Sequence, residues 1–254
     1  MWIADQPPSL SHTPPRPGLW QARRAKFATL QSGQQSTSPT EKAAMPSPTT
    51  SARPADAAVP ALVRVRPFGW FLVITGAVAW IASATLVLER LELYTNPNAK
   101  ISCDINSWIS CGDVMQTSQA AIFGFPNPFI GLVAFAVVIT TGVVLLAGAD
   151  LARWYWIGLQ AGITLGMVLI CWFFTQAVYV LAILCPYCMV VWSMMIPLFV
   201  WTTVRNLKHG VIPAGPGVAK FAADWAWVIV GLAYLGVIAA IFFKFMHVII
   251  PSNA

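Results

Sequence analysis

Four of the five cysteines in the 254-residue chain fall into two pairs, Cys103 with Cys111 and Cys185-Pro186-Tyr187-Cys188. A C-x-x-C unit supports two chemistries, a dithiol that cycles through a disulfide or half of a tetrahedral zinc site. Cys185 directly precedes a proline suited to the first position of a helix, so the cysteine stands near an N-cap. There the positive end of the helix dipole stabilises a thiolate. Cys188, three residues on, shares that side of the first turn and lies within bridging reach. Zinc would need two more ligands, which Cys103 and Cys111 could supply. That pair is instead eight residues apart on a polar stretch beside Asp104 and Asp113, which favours thiol exchange over a metal cage. Alone, Cys103 and Cys111 read as a structural loop disulfide. Their surroundings suggest more. Residues 102–114 read SCDINSWISCGDV, and Ile105, Trp108 and Ile109 have the i, i+3, i+4 spacing of a helix face resting on a membrane surface. A mobile segment of that kind would carry the pair between an external partner and the Cys185 site.

The elements that must hold these cysteines are membrane spans. The chain is 57% hydrophobic and 9% charged, where a soluble domain carries about a quarter charged residues. Its charges sit in blocks and leave uncharged runs over 68–88, 114–149, 154–204 and 225–243. About 20 apolar residues cross a bilayer, so the first and last runs hold one span each, and the second holds one at about 127–146. The third run, 51 residues long, divides at Cys185-Pro186, because proline lacks an N–H and pushes its predecessor out of the α region. Five spans follow, about 68–88, 127–146, 154–184, 186–204 and 225–243. Backbone polar groups must be paired within lipid, so the fold class is an all-α bundle.

Lysine and arginine counts orient the bundle. Residues 1–66 carry eight basic side chains against three acidic ones, and 205–224 carry three against one, so both are expected in the cytoplasm. Segment 89–126, with Arg90 and Lys100 against four acids, suits the outer face. Both cysteine pairs are then expected at the extracytoplasmic face of the cell membrane, plasma or inner. Ten of the 19 prolines fall in the first 60 residues, which lack apolar periodicity. Residues 1–66 therefore read as a disordered cytoplasmic tail, with 67–250 as the transmembrane domain and no secretory leader. The pI near 9.3 is the excess the inside rule requires, so nucleic acid is not a partner. Cys171, 14 residues before Cys185, reads as a small buried hydrophobe near the bilayer centre. His12, His209 and His247 form no constellation.

Cys103-Asp104, Ile109-Ser110-Cys111, Val114, Thr117, Asn127 and a C-x-x-C opening a later span together resemble the vitamin K epoxide reductase family of membrane thiol oxidoreductases, from about Trp70 to Arg205. The resemblance implies four of the five helices bundled around a quinone site, with the Cys103-Cys111 loop between the first two. It implies that Cys103 and Cys111 are shuttle cysteines and that Cys185 and Cys188 are the active-site pair, Cys185 exchanging with the loop and Cys188 adjacent to the quinone. Asn127 matches an asparagine that hydrogen-bonds a quinone carbonyl, and Thr117 or its neighbour Ser118 matches a loop hydroxyl. Where human-type members carry a tyrosine, this chain has Trp192, whose indole donates but does not accept. Phe125, Phe129, Tyr187, Met189 and Trp192 are the aromatic and thioether groups expected near the ring. The chain resembles a stand-alone member, which would reoxidise a separate thioredoxin-like or DsbA-like dithiol protein and pass the electrons to menaquinone or ubiquinone, with no metal. The competing readings are a zinc-stabilised membrane scaffold or adaptor, and a small channel or transporter whose cysteines are staples.

Overall fold

The computed structural model describes residues 60–249; the tail expected over 1–66 lies outside the described residues except for its last seven positions. Those seven are ordered. A 3-10 turn at Ala61–Val63 leads directly into the first span, and Val63 is buried in the core, because a valine beside an apolar helix end gains by covering it. Six α-helices follow: α1 (Val65–Thr95), α2 (Cys111–Met115), α3 (Pro128–Leu146), α4 (Arg153–Thr175), α5 (Pro186–Lys208) and α6 (Pro216–Ile249). A π-helix, Gln176–Leu181, continues α4. Five of these elements are long and apolar enough to cross a membrane: Val65–Thr95, Pro128–Leu146, Arg153–Leu181, Pro186–Lys208 and Pro216–Met246. The protein is therefore a multi-pass membrane protein, all-helical and with five membrane-spanning helices among the described residues.

At 1.5 Å per residue, the 31 residues of α1 reach about 46 Å, well beyond a hydrocarbon core of about 30 Å. Its last turns stand clear of the apolar layer and meet the segment that carries Cys103. At the opposite end of the bundle the Arg205 guanidinium stacks 3.2 Å over the Trp156 ring. Asn206 Nδ2 donates to Gln160 Oε1 at 2.9 Å, which ties α5 to α4.

α5 is the hub of the bundle, packing against α1, α4 and α6, while α1 makes its longest contact with α3. That contact is built on small residues. A Cβ placed on Gly142 would lie 2.7 Å from the Gly69 carbonyl oxygen, and one on Gly131 would lie 2.5 Å from Ser83 Oγ. Lipid tails are as apolar as leucine, so helices in a bilayer gain from close backbone approach rather than from burial as such. The largest apolar core cluster includes Phe68, Leu72, Trp156, Leu198 and Trp201. α6 leans on α5, where Tyr234 donates its hydroxyl to the Ser193 carbonyl at 2.5 Å, and most of its surface faces outward. Cys171 also faces outward on α4, not inward as expected. Its position on the helix wheel, rather than its small size, decides this.

The third span ends earlier than its composition suggests. Expected to run to Leu184, it stops at Leu181, and Ala182 takes a left-handed backbone with φ 55° and ψ 34°. This conformation costs a non-glycine residue of order 1–2 kcal/mol and is held from both sides. The Ile183 N–H returns to the Ala177 carbonyl at 3.1 Å, and the Leu184 N–H donates to Trp108 at 2.9 Å. Residues 182–185 are thereby turned out of the helix before Pro186 starts the next one.

The α1–α3 contact leads to a stability prediction. Gly142→Ala in detergent-solubilised protein is expected to cost roughly 1–3 kcal/mol through overpacking and to lower the apparent Tm. Gly158→Ala, whose Cβ meets nothing within 4 Å, is expected to leave it unchanged; equal shifts in a thermal denaturation series would contradict the close approach.

Candidate redox site

The loop between α1 and α2 folds by local backbone chemistry. Asn106 Oδ1 accepts the N–H groups of Trp108 at 3.1 Å and Ile109 at 2.9 Å, reversing the chain. The Ile105 N–H donates to the Ile109 carbonyl at 2.9 Å and closes the turn. The helix face expected from Ile105, Trp108 and Ile109 does not form. Eight residues of α-helix would separate Cys103 and Cys111 by about 12 Å, whereas their disulfide holds the Cα atoms 5.6 Å apart. Ile105 is 69% exposed at the tip, while Trp108 packs on Phe245 of α6 with ring centroids 6.0 Å apart.

The reversed loop is bound to the turned-out segment before α5. The Leu184 N–H donates to the Trp108 carbonyl at 2.9 Å, and the Ser110 N–H donates to the Leu184 carbonyl at 3.1 Å, a two-bond parallel bridge between Ile109 and Leu184. The residues that follow these partners are Cys111 and Cys185. Their sulfurs lie 3.3 Å apart. Cys111 opens α2, whose N-cap Ser110 accepts the Asp113 N–H at 3.0 Å and donates to Asp104 Oδ1 at 2.8 Å. Asp104 Oδ1 also takes the Gly112 N–H at 2.9 Å. A side chain at residue 112 would collide with this carboxylate, since a Cβ there would lie 2.7 Å from Asp104 Oδ2.

Cys185 is the N-cap of α5, with Pro186 at the first helical position, and its sulfur accepts the Cys188 N–H at 3.3 Å. That bond holds the Cys185 sulfur at the N-terminus of α5. Cys111 and Cys185 are buried, Cys103 nearly so, and Cys188 is half-buried; Cys185 and Cys188 are thiols, while Cys103 and Cys111 form the disulfide. Glu89 of α1 lies against Cys103, with Oε2 3.6 Å from its sulfur. The sulfurs of Cys103 and Cys111 converge with the Glu89 carboxylate to within 4.8 Å. Zinc binds thiolates, however, and the sulfurs of a disulfide are not thiolates, so this state does not present a metal ligand set.

Below the cysteines lies an apolar cavity of about 540 Å³. It lies between α3 and α4, which scarcely touch, and runs from Trp154 and Tyr155 to the Cys185–Cys188 turn. Polar groups gather at the cysteine end, where Thr117, Asn127 and Gln176 join Cys188 on its wall. Asn127 Nδ2 donates to the Gln119 carbonyl at 2.6 Å, and its Oδ1 accepts the Ile122 N–H at 3.2 Å. These two bonds fix the Asn127 side chain on the cavity wall.

The family model for the vitamin K epoxide reductase family matches residues 70–203. The chain belongs to the vitamin K epoxide reductase family. It is accordingly a membrane thiol–disulfide oxidoreductase of a quinone-associated family. No curated protein matches the chain significantly. The match takes in α1 from Trp70, the cysteine loop, α3, α4 and most of α5.

In this vitamin K epoxide reductase family member the structure brings together Cys103, Cys111, Cys185 and Cys188, and puts Thr117, Asn127 and Trp192 on the cavity wall. Thr117 donates its hydroxyl to the Val114 carbonyl at 2.7 Å, and Trp192 sets its ring edge-on to Phe174 with centroids 5.2 Å apart. Ser118, Phe129 and Tyr187 are not on that wall, nor are Phe125 and Met189. Ser118 points to the Gln119 side chain, and Tyr187 lies on the far side of the C-x-x-C turn, its hydroxyl 3.2 Å from Ser102 Oγ. Sequence reading missed Glu89 and the Asp104–Ser110 pair. Asp104 and Ser110 had a usable signal, since a serine three residues before Asp113 fits an N-cap. Glu89 had none beyond standing at the end of an apolar run.

The sulfur geometry is directly testable. A Cys103→Ser/Cys188→Ser chain retains Cys111 and Cys185 and is expected to cross-link fully under mild oxidation. Cys111→Ser/Cys188→Ser, retaining Cys103 and Cys185, is expected to do so roughly tenfold more slowly, because proximity sets the rate; mass spectrometry of alkylated peptides distinguishes them, and equal rates would refute the contact.

Proposed function

We propose that the protein reoxidises a separate thioredoxin-like or DsbA-like dithiol protein and passes the electron pair through its two cysteine pairs to a quinone of the menaquinone or ubiquinone type, supporting disulfide formation in exported proteins. The observation that carries this reading is the 3.3 Å contact between Cys111 and Cys185, with Cys188 on the wall of the apolar cavity. It joins the loop disulfide to the C-x-x-C turn and the turn to a slot.

The thiol chemistry proceeds in three exchanges, each needing an attacking thiolate and a leaving thiol. An external dithiol reduces Cys103–Cys111 and leaves as a disulfide. Cys111 attacks Cys185 of an oxidised Cys185–Cys188 pair and releases Cys188. Cys103 then attacks Cys111, which restores the loop disulfide and releases Cys185. A closed loop disulfide with Cys185 and Cys188 as thiols is the arrangement that follows this hand-over. The Cys188 N–H donates to the Cys185 sulfur at 3.3 Å and keeps it in place as the leaving atom of the last exchange.

The cavity suits a flat carbonyl-bearing ring with an apolar tail. Asn127 would hold a carbonyl through its side-chain amide, Thr117 and Gln176 add polar atoms nearby, and Trp192 and Ile163 add apolar wall. A quinone supplies a sink for two electrons and two protons. α3 and α4 make few contacts, so such a ligand would pass between them from the lipid without crossing water. We further propose that the cysteine end faces outward across the cell membrane, in keeping with eight basic residues against three acidic ones in 1–66.

Anaerobic mixing of the purified protein with a soluble quinone and a reduced thioredoxin-like dithiol is expected to form hydroquinone. Cys188→Ala is expected to abolish this, and Asn127→Ala to raise the KM for quinone by roughly tenfold, the loss of one buried hydrogen bond. Absence of hydroquinone with wild-type protein and several quinones would refute the relay, and stoichiometric zinc in that preparation would favour the scaffold.

A further inference from the structure

Glu89 is the least exposed carboxylate among the described residues, at 9% exposure, while Glu92 one turn later is exposed. Its two oxygens are divided between two neighbours. Oε2 lies 3.6 Å from Cys103 Sγ; Oε1 accepts the Ser102 N–H at 3.3 Å and the Ser102 hydroxyl. Nothing in the relay described so far uses this group.

The third exchange requires Cys103 as a thiolate. A thiol in apolar surroundings holds its proton more tightly than one in water, and Cys103 is only 6% exposed, packed with Leu86, Leu93 and Ile101. It therefore needs a base in direct contact. Asp104, the next residue, is engaged elsewhere, its Oδ1 holding Ser110 Oγ and the Gly112 N–H. Tyr187 of α5 reaches Ser102 but makes no hydrogen bond to Cys103. Glu89 is the acid–base group that touches the sulfur.

We propose that Glu89 accepts the proton of Cys103 when the loop disulfide closes and returns it when the loop opens. This rests on the relay proposed above and gives one of its steps a proton path. Cys103–SH gives its proton to the Glu89 carboxylate. The thiolate attacks Cys111 of the Cys111–Cys185 mixed disulfide, forming Cys103–Cys111 and releasing the Cys185 thiolate. No net electron is lost, since one S–S bond breaks as one forms. Ser102, hydrogen-bonded to Glu89 and itself exposed, leads the proton to water.

The test is the same turnover reaction in full-length protein, acid-quenched, alkylated and read by mass spectrometry. Glu89→Gln keeps the shape and a hydrogen bond but cannot take a proton. It is expected to slow partner oxidation roughly tenfold or more, within the range of general acid–base effects, and to accumulate the Cys111–Cys185 mixed disulfide. Glu89→Asp is expected to recover turnover and clear that species, which a packing defect would not do. Turnover by Glu89→Gln within twofold of wild type, or slowing without the mixed disulfide, overturns the proposal while leaving the relay standing. Inactive wild-type protein overturns the relay and this step with it. If Glu89→Gln fails to fold, Ser102→Ala is read instead; build-up of the same mixed disulfide supports the proton path, and wild-type behaviour refutes it.

Discussion

Two backbone hydrogen bonds, from Leu184 to Trp108 and from Ser110 to Leu184, set the geometry on which the rest of the site depends. They join the loop ahead of α2 to the segment ahead of α5, and each bonded residue stands next to or near a paired cysteine. Side chains alone would not hold two sulfurs in contact across 74 residues of sequence. A backbone bridge does so because peptide groups are fixed to the chain and must be paired where water is scarce. The left-handed turn at Ala182 is the local strain that presents Leu184 to the loop.

The bundle supports this bridge from below. α5 packs against three other spans, so its N-terminus, with Cys185 as cap, is a fixed point rather than a fraying end. α1 extends past the apolar layer and carries Glu89 to the back of the loop disulfide. α6 lies beyond the family match yet touches the loop through Phe245 and Trp108. The loose contact is the one between α3 and α4, and both line the cavity. Tight packing around the sulfurs and sparse packing along the cavity are complementary features of one bundle.

Burial also shapes the chemistry. A disulfide with Cys111 fully covered is shielded from indiscriminate thiols, and its partner Cys185 is equally hidden. The exposed tip of the loop is Ile105. The turn at Asn106 makes the loop a compact unit, in place of the long amphipathic lever that the spacing of Ile105, Trp108 and Ile109 suggested.

The spans were legible in the sequence because a membrane imposes a length and a composition on every helix that crosses it. Pro186 likewise marked the start of α5 and made Cys185 its cap, since the steric rule acts between adjacent residues. The order and spacing of the four cysteines carried the family. What the sequence did not show is held by long-range contacts: the early end of the third span at Leu181, the Leu184 bridge, the approach of Glu89 to Cys103, and the placement of Tyr187 and Phe129 away from the cavity wall. Periodicity says which residues share a helix face, not which neighbour that face meets. Chain-local physics determined the helices, the turn and the cysteine pairs; only tertiary packing decided which sulfur meets which, because that contact depends on hydrogen bonds between segments that the sequence keeps 74 residues apart.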